Sequence, residues 1–129
     1  MLTGKCREDF EKWLYNTEEI PVFEYQLSID VQCGGYYDAR DCFKELPLSM
    51  QFGVYVDFFE SKGIVVDIDP MLNHDEEKYT EIVCFLTNII ELGKTPKFET
   101  DSYDTIEEAR EQAILKANSI YNESKWFKN

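Results

Sequence analysis

The chain is poor in the residues that most chemistry depends on. It has 129 residues and one histidine, His74, so any hydroxyl or thiol nucleophile would have to share that single imidazole as its base. It has no Cys-x-x-Cys pair, His74 has no Cys or His within five residues, and Cys33 and Cys42, the cysteines nearest each other in sequence, have eight residues between them, which removes the spacing of a structural zinc site. Its 6 glycines include one adjacent pair, Gly34-Gly35, and form neither Gly-x-x-x-x-Gly-Lys nor Gly-x-Gly-x-x-Gly, so phosphate-cradling loops are missing. No stretch approaches the roughly 18 apolar residues of a membrane span, and the first ten residues carry charge where a secretory leader needs an apolar centre. A cytoplasmic protein, away from membranes, is the expectation, with no cofactor and no metal.

Basic residues are also short, with 13 Lys and Arg against 26 Asp and Glu and a net charge of −13. Such a surface repels phosphate backbones, so direct nucleic-acid binding is not expected. The same field favours a basic protein partner, although an acidic surface also serves simply to keep a small protein in solution.

Apolar residues make up 43% and aromatics 15%, enough for one ordered domain spanning 1–129 without disulfides or metals. Cys6, Phe10, Trp13 and Leu14 recur with helical period over Lys5–Tyr15. Val22–Gln32 then alternates apolar and polar residues with period two, a strand with one wet face. Tyr36–Glu45 reads as a loop. Pro47–Lys62 reads as a helix stopped by Gly63, its apolar face formed by Leu48, Phe52, Tyr55, Val56 and Phe59 and widened by Val54 and Phe58, with Gly53 marking a close approach to another element.

Ile64–Asp69 reads as a short strand ended by Pro70, and Met71–Glu77 as a polar turn. Residues 79–92 fit either period: Tyr79, Ile82, Val83, Leu86 and Ile89 suit a helix, while Ile82–Leu86 has strand composition. A strand that pairs back onto Ile64–Asp69 is preferred, because a lone short strand would lack a partner. Lys97–Tyr103 reads as extended. Thr105-Ile-Glu-Glu108 is a capping box opening a helix to about Asn122, with three alanines on its apolar stripe. The sum is an α+β fold, a small antiparallel sheet of about three to four strands with about three helices packed on it.

Candidate chemistry is sparse. The acids Asp67, Asp69, Asp75, Glu76 and Glu77 around His74 lack the spacing and central glycine of a calcium loop. Cys33 before the double glycine has a faint nucleophile placement, but a strand end with a small residue at its bend accounts for it better. All four cysteines read as reduced thiols. Tyr36 and Tyr37 are the aromatics best suited to a partner surface, and Glu107 and Glu111 are acids on the outer side of the last helix.

Two segments, Leu46–Gly63 and Thr105–Asn122, together resemble small uncharacterised proteins encoded by phages and prophages of Bacteroidetes bacteria, with looser similarity at Lys5–Leu14. The resemblance implies a β-hairpin between the two helices and a host cytoplasm as the setting; Lys94–Ser102 departs from the shorter relatives. It implies no activity. The expectation that follows is a non-enzymatic acidic interaction protein acting on a host or phage protein, with imitation of a nucleic acid as its narrower version. The alternative is a small enzyme or small-molecule binder with a pocket between sheet and helices.

Overall fold

The computed structural model describes residues 1–16, 39–95 and 100–124. The alternating segment Val22–Gln32, together with Cys33, Tyr36 and Tyr37, lies outside the described residues, as do Lys97 and Phe98 of the expected third extended piece.

Helix α1 spans Gly4–Asn16, α2 Ala39–Glu45, α3 Leu48–Ser61 and α4 Ile106–Glu123; strands β1, β2 and β3 span Ile64–Asp75, Lys78–Glu91 and Asp101–Tyr103. The strands form an antiparallel sheet in the order β1-β2-β3, so the α+β class holds, with three strands and four helices among the described residues.

Helices α1, α3 and α4 follow from local signals. On α1 the predicted stripe is buried at Cys6, Phe10 and Leu14. Gly63, at φ +82°, ends α3 in the left-handed conformation that glycine adopts without strain. The Thr105 hydroxyl caps α4 by accepting from the Glu108 amide at 3.2 Å. Ala109, Ala113 and Ala117 on α4 are buried, and their small side chains let the helix lie against both the sheet and the other helices.

Four expectations need correction. Ala39–Glu45 is helical rather than a loop, because Cys42 and Phe43 are buried, with the Phe43 ring 5.1 Å from Phe10 and 5.0 Å from Tyr55. A helix this short owes its stability to that packing. On α3 the buried residues Val54, Tyr55, Phe58 and Phe59 all belong to the expected, widened face, but Leu48, expected on it as well, is 78% exposed at the start of the helix. Among the described residues nothing lies within 4 Å of a Cβ built at Gly53, so it marks no close approach to another described element. Finally, β1 continues through Pro70 to Asp75, and the turn shrinks to Glu76 and Glu77. A proline without an amide hydrogen is tolerated there because β1 is the edge strand of the described sheet.

The core lies between one face of the sheet and the helices. Ile64, Val66 and Thr87 are buried from the sheet side, and Phe10, Phe58, Phe59, Ile114 and Tyr121 from the helical side. Phe58 sits at its centre, with ring centroids 5.2–5.7 Å from Phe10, Trp13, Phe59 and Tyr121. Such offset and edge-on aromatic pairs add about 0.5–1.5 kcal/mol each beyond burial.

Chain ends are joined by amides. Asn118 accepts from the Thr3 amide at 3.0 Å, and Asn122 accepts from the Cys6 amide at 2.8 Å while donating to the Thr3 carbonyl at 2.9 Å. The last helix thereby satisfies donors that the start of α1 leaves open. Gly4, at φ +57°, allows the approach, since a Cβ there would meet the Asn122 side chain at 3.3 Å.

Candidate functional site

The expected site residues fall in different places. Glu107 and Glu111 are exposed on α4, but Arg110 lies between them, its guanidinium carbon 5.7 Å from the Phe52 ring centroid. They rim a cavity of 150 Å³ floored by Phe52, Tyr55 and Ile114. This surface is therefore mixed in charge. Tyr36 and Tyr37 lie outside the described residues.

A cleft of 440 Å³ opens among α1, α2 and α3, lined in part by Arg7, Glu11, Lys44 and Gln51. It lies among helices, away from the sheet, where the alternative reading had looked for a pocket.

One buried polar group stands out. The Tyr121 hydroxyl donates to Asp9 at 2.5 Å, and the Lys5 ammonium lies 3.0 Å from the same carboxylate. Burial pushes the Asp9 carboxyl up, but the bonds from Tyr121 and Lys5 and the charges of Lys5 and Lys62 outweigh it and hold it below the ordinary carboxylate range. Burial, followed by the nearby Asp9 charge, pushes the Cys6 thiol up to about 12, so it stays protonated at neutral pH and is a poor nucleophile. Tyr121 is pushed upward by burial and by Asp9. The group ties α1 to α4.

The acidic run that enclosed His74 is spread along a strand and a turn rather than gathered. Among the described residues no three potential ligands converge as a metal site would require. Asp67 and Asp69 are the exception in proximity: burial, then a hydrogen bond and charge from Asp69, raise the Asp67 carboxyl.

The most distinctive surface is the far half of the β1–β2 hairpin. β3 pairs with β2 only over Phe85–Thr87, so beyond Phe85 the hairpin is two-stranded among the described residues and is exposed to its tip. Residues paired across antiparallel strands share a face. The register pairs Ile68 with Thr87, Pro70 with Phe85, Leu72 with Ile82 and His74 with Tyr79, all on the face that forms the core further back. Asp67, Asp69, Met71, Asn73 and Asp75 occupy the other face with Asn88, Leu86, Cys84, Glu81 and Lys78. Side-chain contacts agree with this division: Asn73 donates to Glu81 at 3.0 Å, and the Cys84 and Met71 sulfurs are 3.9 Å apart.

The arm is thus two-faced. Its core-side face carries no carboxylate and exposes Leu72, Tyr79 and Ile82, at 39%, 77% and 54%. Two register shifts, after Met71 and after Asn73, leave Val83 and Thr80 as extra residues on β2. Sequence reasoning missed this surface; its traces were Leu72, inside a segment that otherwise reads as polar, and Tyr79 and Ile82, whose spacing suits a helix as well as a strand. No family model matches the chain, and neither a curated protein nor a solved structure shows significant similarity to it.

Proposed function

We propose that this chain is a non-enzymatic, acidic interaction protein that docks on another protein, of host or phage, through the β1–β2 arm. The observation that carries the reading is the exposure of Leu72, Tyr79 and Ile82 together on a projecting two-stranded hairpin. A hairpin of two strands is marginal alone in water, and exposed aliphatic side chains gathered on one face mark a contact surface. The carboxylates of Asp69, Asp75, Glu76, Glu77 and Glu81 around it favour a basic partner. Strict imitation of a phosphate backbone draws less support, because Asp67 and Asp69 share a hydrogen bond instead of presenting evenly separated charges.

The test compares partner capture by three full-length proteins: the wild type, Leu72→Ser with Ile82→Ser, and Glu107→Gln with Glu111→Gln. A protein retained by the wild type and the glutamine variant but lost by the serine variant supports docking through the arm. The opposite pattern moves the site to α4. Capture unaffected by either pair refutes both surfaces.

A further inference from the structure

We infer that the core-side face of the arm receives an amphipathic, cationic helix of the partner, laid where the protein's own helical layer stops. The inference rests on the docking role proposed above and specifies how the partner binds.

Both edges of the arm resist strand addition. On β1, Pro70 lacks the amide hydrogen that a third strand would need. On β2, the extra residues Thr80 and Val83 break the regular spacing of donors and acceptors within six residues of the turn. An added strand would find no regular ladder on either side, so recognition falls to the faces.

Between the faces, chemistry decides. One mixes Met71, Cys84 and Leu86 with the charges of Asp67, Asp69, Asp75, Lys78 and Glu81, while the other bears Pro70, Leu72, His74, Tyr79, Ile82 and Phe85 and no carboxylate. Nearer the body, α3 and α4 pack on the sheet, whose core face is buried at Ile64, Val66 and Thr87. The fold itself therefore shows what covers this surface, and the arm extends the same surface with no helix on it among the described residues. From Pro70 to Asp75 the strand rises about 17 Å at ~3.3 Å per residue, the length of a helix of about 11 residues at ~1.5 Å each. A two-stranded ribbon is about as wide as one helix.

Charge selects the occupant. The carboxylates of Asp75, Glu76, Glu77 and Glu81 surround the apolar face, with Lys78 as the arm's one basic side chain besides His74. A helix with an apolar seam and Lys or Arg flanks meets both features. A second copy of this chain would bring like charges together, against a net charge of −13.

The experiment titrates the full chain, followed by amide NMR, with two 14-residue Leu/Lys peptides of identical composition. One is patterned with helical period and the other alternates strictly. The expected result is saturable binding of the helical peptide, with shifts at Leu72, Tyr79, Ile82 and Phe85, at least tenfold tighter than the alternating peptide. Leu72→Ser with Ile82→Ser should abolish that preference, and Tyr79→Ala should weaken binding severalfold should the double variant fail to fold.

Tighter binding of the alternating peptide, with shifts along the outer edge of β2, would overturn the helix mode in favour of strand addition. Shifts spread over all acidic surfaces and indifferent to the serine pair would reduce the effect to general electrostatics and overturn it as well. A concentration-dependent dimer dispersed by Leu72→Asp would replace the partner with a second copy. Capture of a cellular partner that survives every arm variant would instead sink the docking role itself.

Discussion

The hydrogen bond between Tyr121 and Asp9 can be deleted with almost no change of shape, which makes it the sharpest probe of how α1 is held to α4. Tyr121→Phe keeps the buried ring and its contact with Phe58, at 5.7 Å between centroids, and removes only the hydroxyl. A hydrogen bond to a charged group contributes about 1.5–3 kcal/mol. The Asp9 side chain is 17% exposed and keeps Lys5 at 3.0 Å, so water and the ammonium replace part of the loss. The lower half of the range, about 1.5–2 kcal/mol, is therefore expected. For a domain of this size that corresponds to a melting temperature lowered by roughly 6–8 °C. The pH dependence tests the cause. Because Asp9 is held below its unfolded value, its ionic partners stabilise the native state above that value, near pH 4, and the contribution is lost as pH falls through the folded value. Urea denaturation of both proteins should show a constant gap between pH 7 and pH 5 that narrows below about pH 4. Equal midpoints at pH 7, or a gap that does not shrink in acid, would show that the carboxylate does not hold Tyr121 as described.

Two further substitutions probe the helices. Thr105→Ala removes the acceptor for the Glu108 amide and should cost about 1 kcal/mol, read from the urea midpoint at an unchanged slope; no change would place the start of α4 elsewhere. Gly53→Ala adds a methyl group where no described residue lies within 4 Å, in the interior of α3, and should stabilise the protein by about 1 kcal/mol. A loss of stability there would mean that α3 meets something at that position after all.

Legibility in the sequence followed the range of the signal. Helices α1, α3 and α4 announced themselves through period and terminal residues, Gly63 and Thr105 above all, because those cues act within one or two turns. Helix α2 gave none: in seven residues it holds only Cys42 and Phe43 as apolar anchors, and what makes it helical is contact with Phe10 and Tyr55 from distant parts of the chain. Partnership of β1 with β2 was legible from composition, but its length was not, since Pro70 and the run from Asn73 to Asp75 are turn residues by local preference and are overridden by the ladder. Of the expected site residues, Glu107 and Glu111 are exposed as their positions on the helix imply, yet the cation–π contact of Arg110 between them depends on Phe52 of another helix.

The same reasoning explains why residues 79–92 carried two conflicting periods. Tyr79, Ile82 and Phe85 are spaced by three, which suits one side of a helix and, in a regular strand, would send Ile82 to the face opposite the other two. The extra residues Thr80 and Val83 absorb one position in each interval, and the pairings His74 with Tyr79, Leu72 with Ile82 and Pro70 with Phe85 bring all three side chains to one face. A helical spacing is thus made to serve a strand. Deleting Val83 should consequently do little harm, because Ile82 would follow Cys84 in plain alternation and still stand opposite Leu72. Cross-strand side-chain contacts measured by NMR should remain between Leu72 and Ile82 in the deletion variant, with a change in stability of at most about 0.5 kcal/mol, as for other exposed positions. A shift of the contact to Leu72 and Glu81 would put a carboxylate on the apolar face and show that the bulge keeps its place on the ladder, with Ile82 taking over from Val83 as the extra residue.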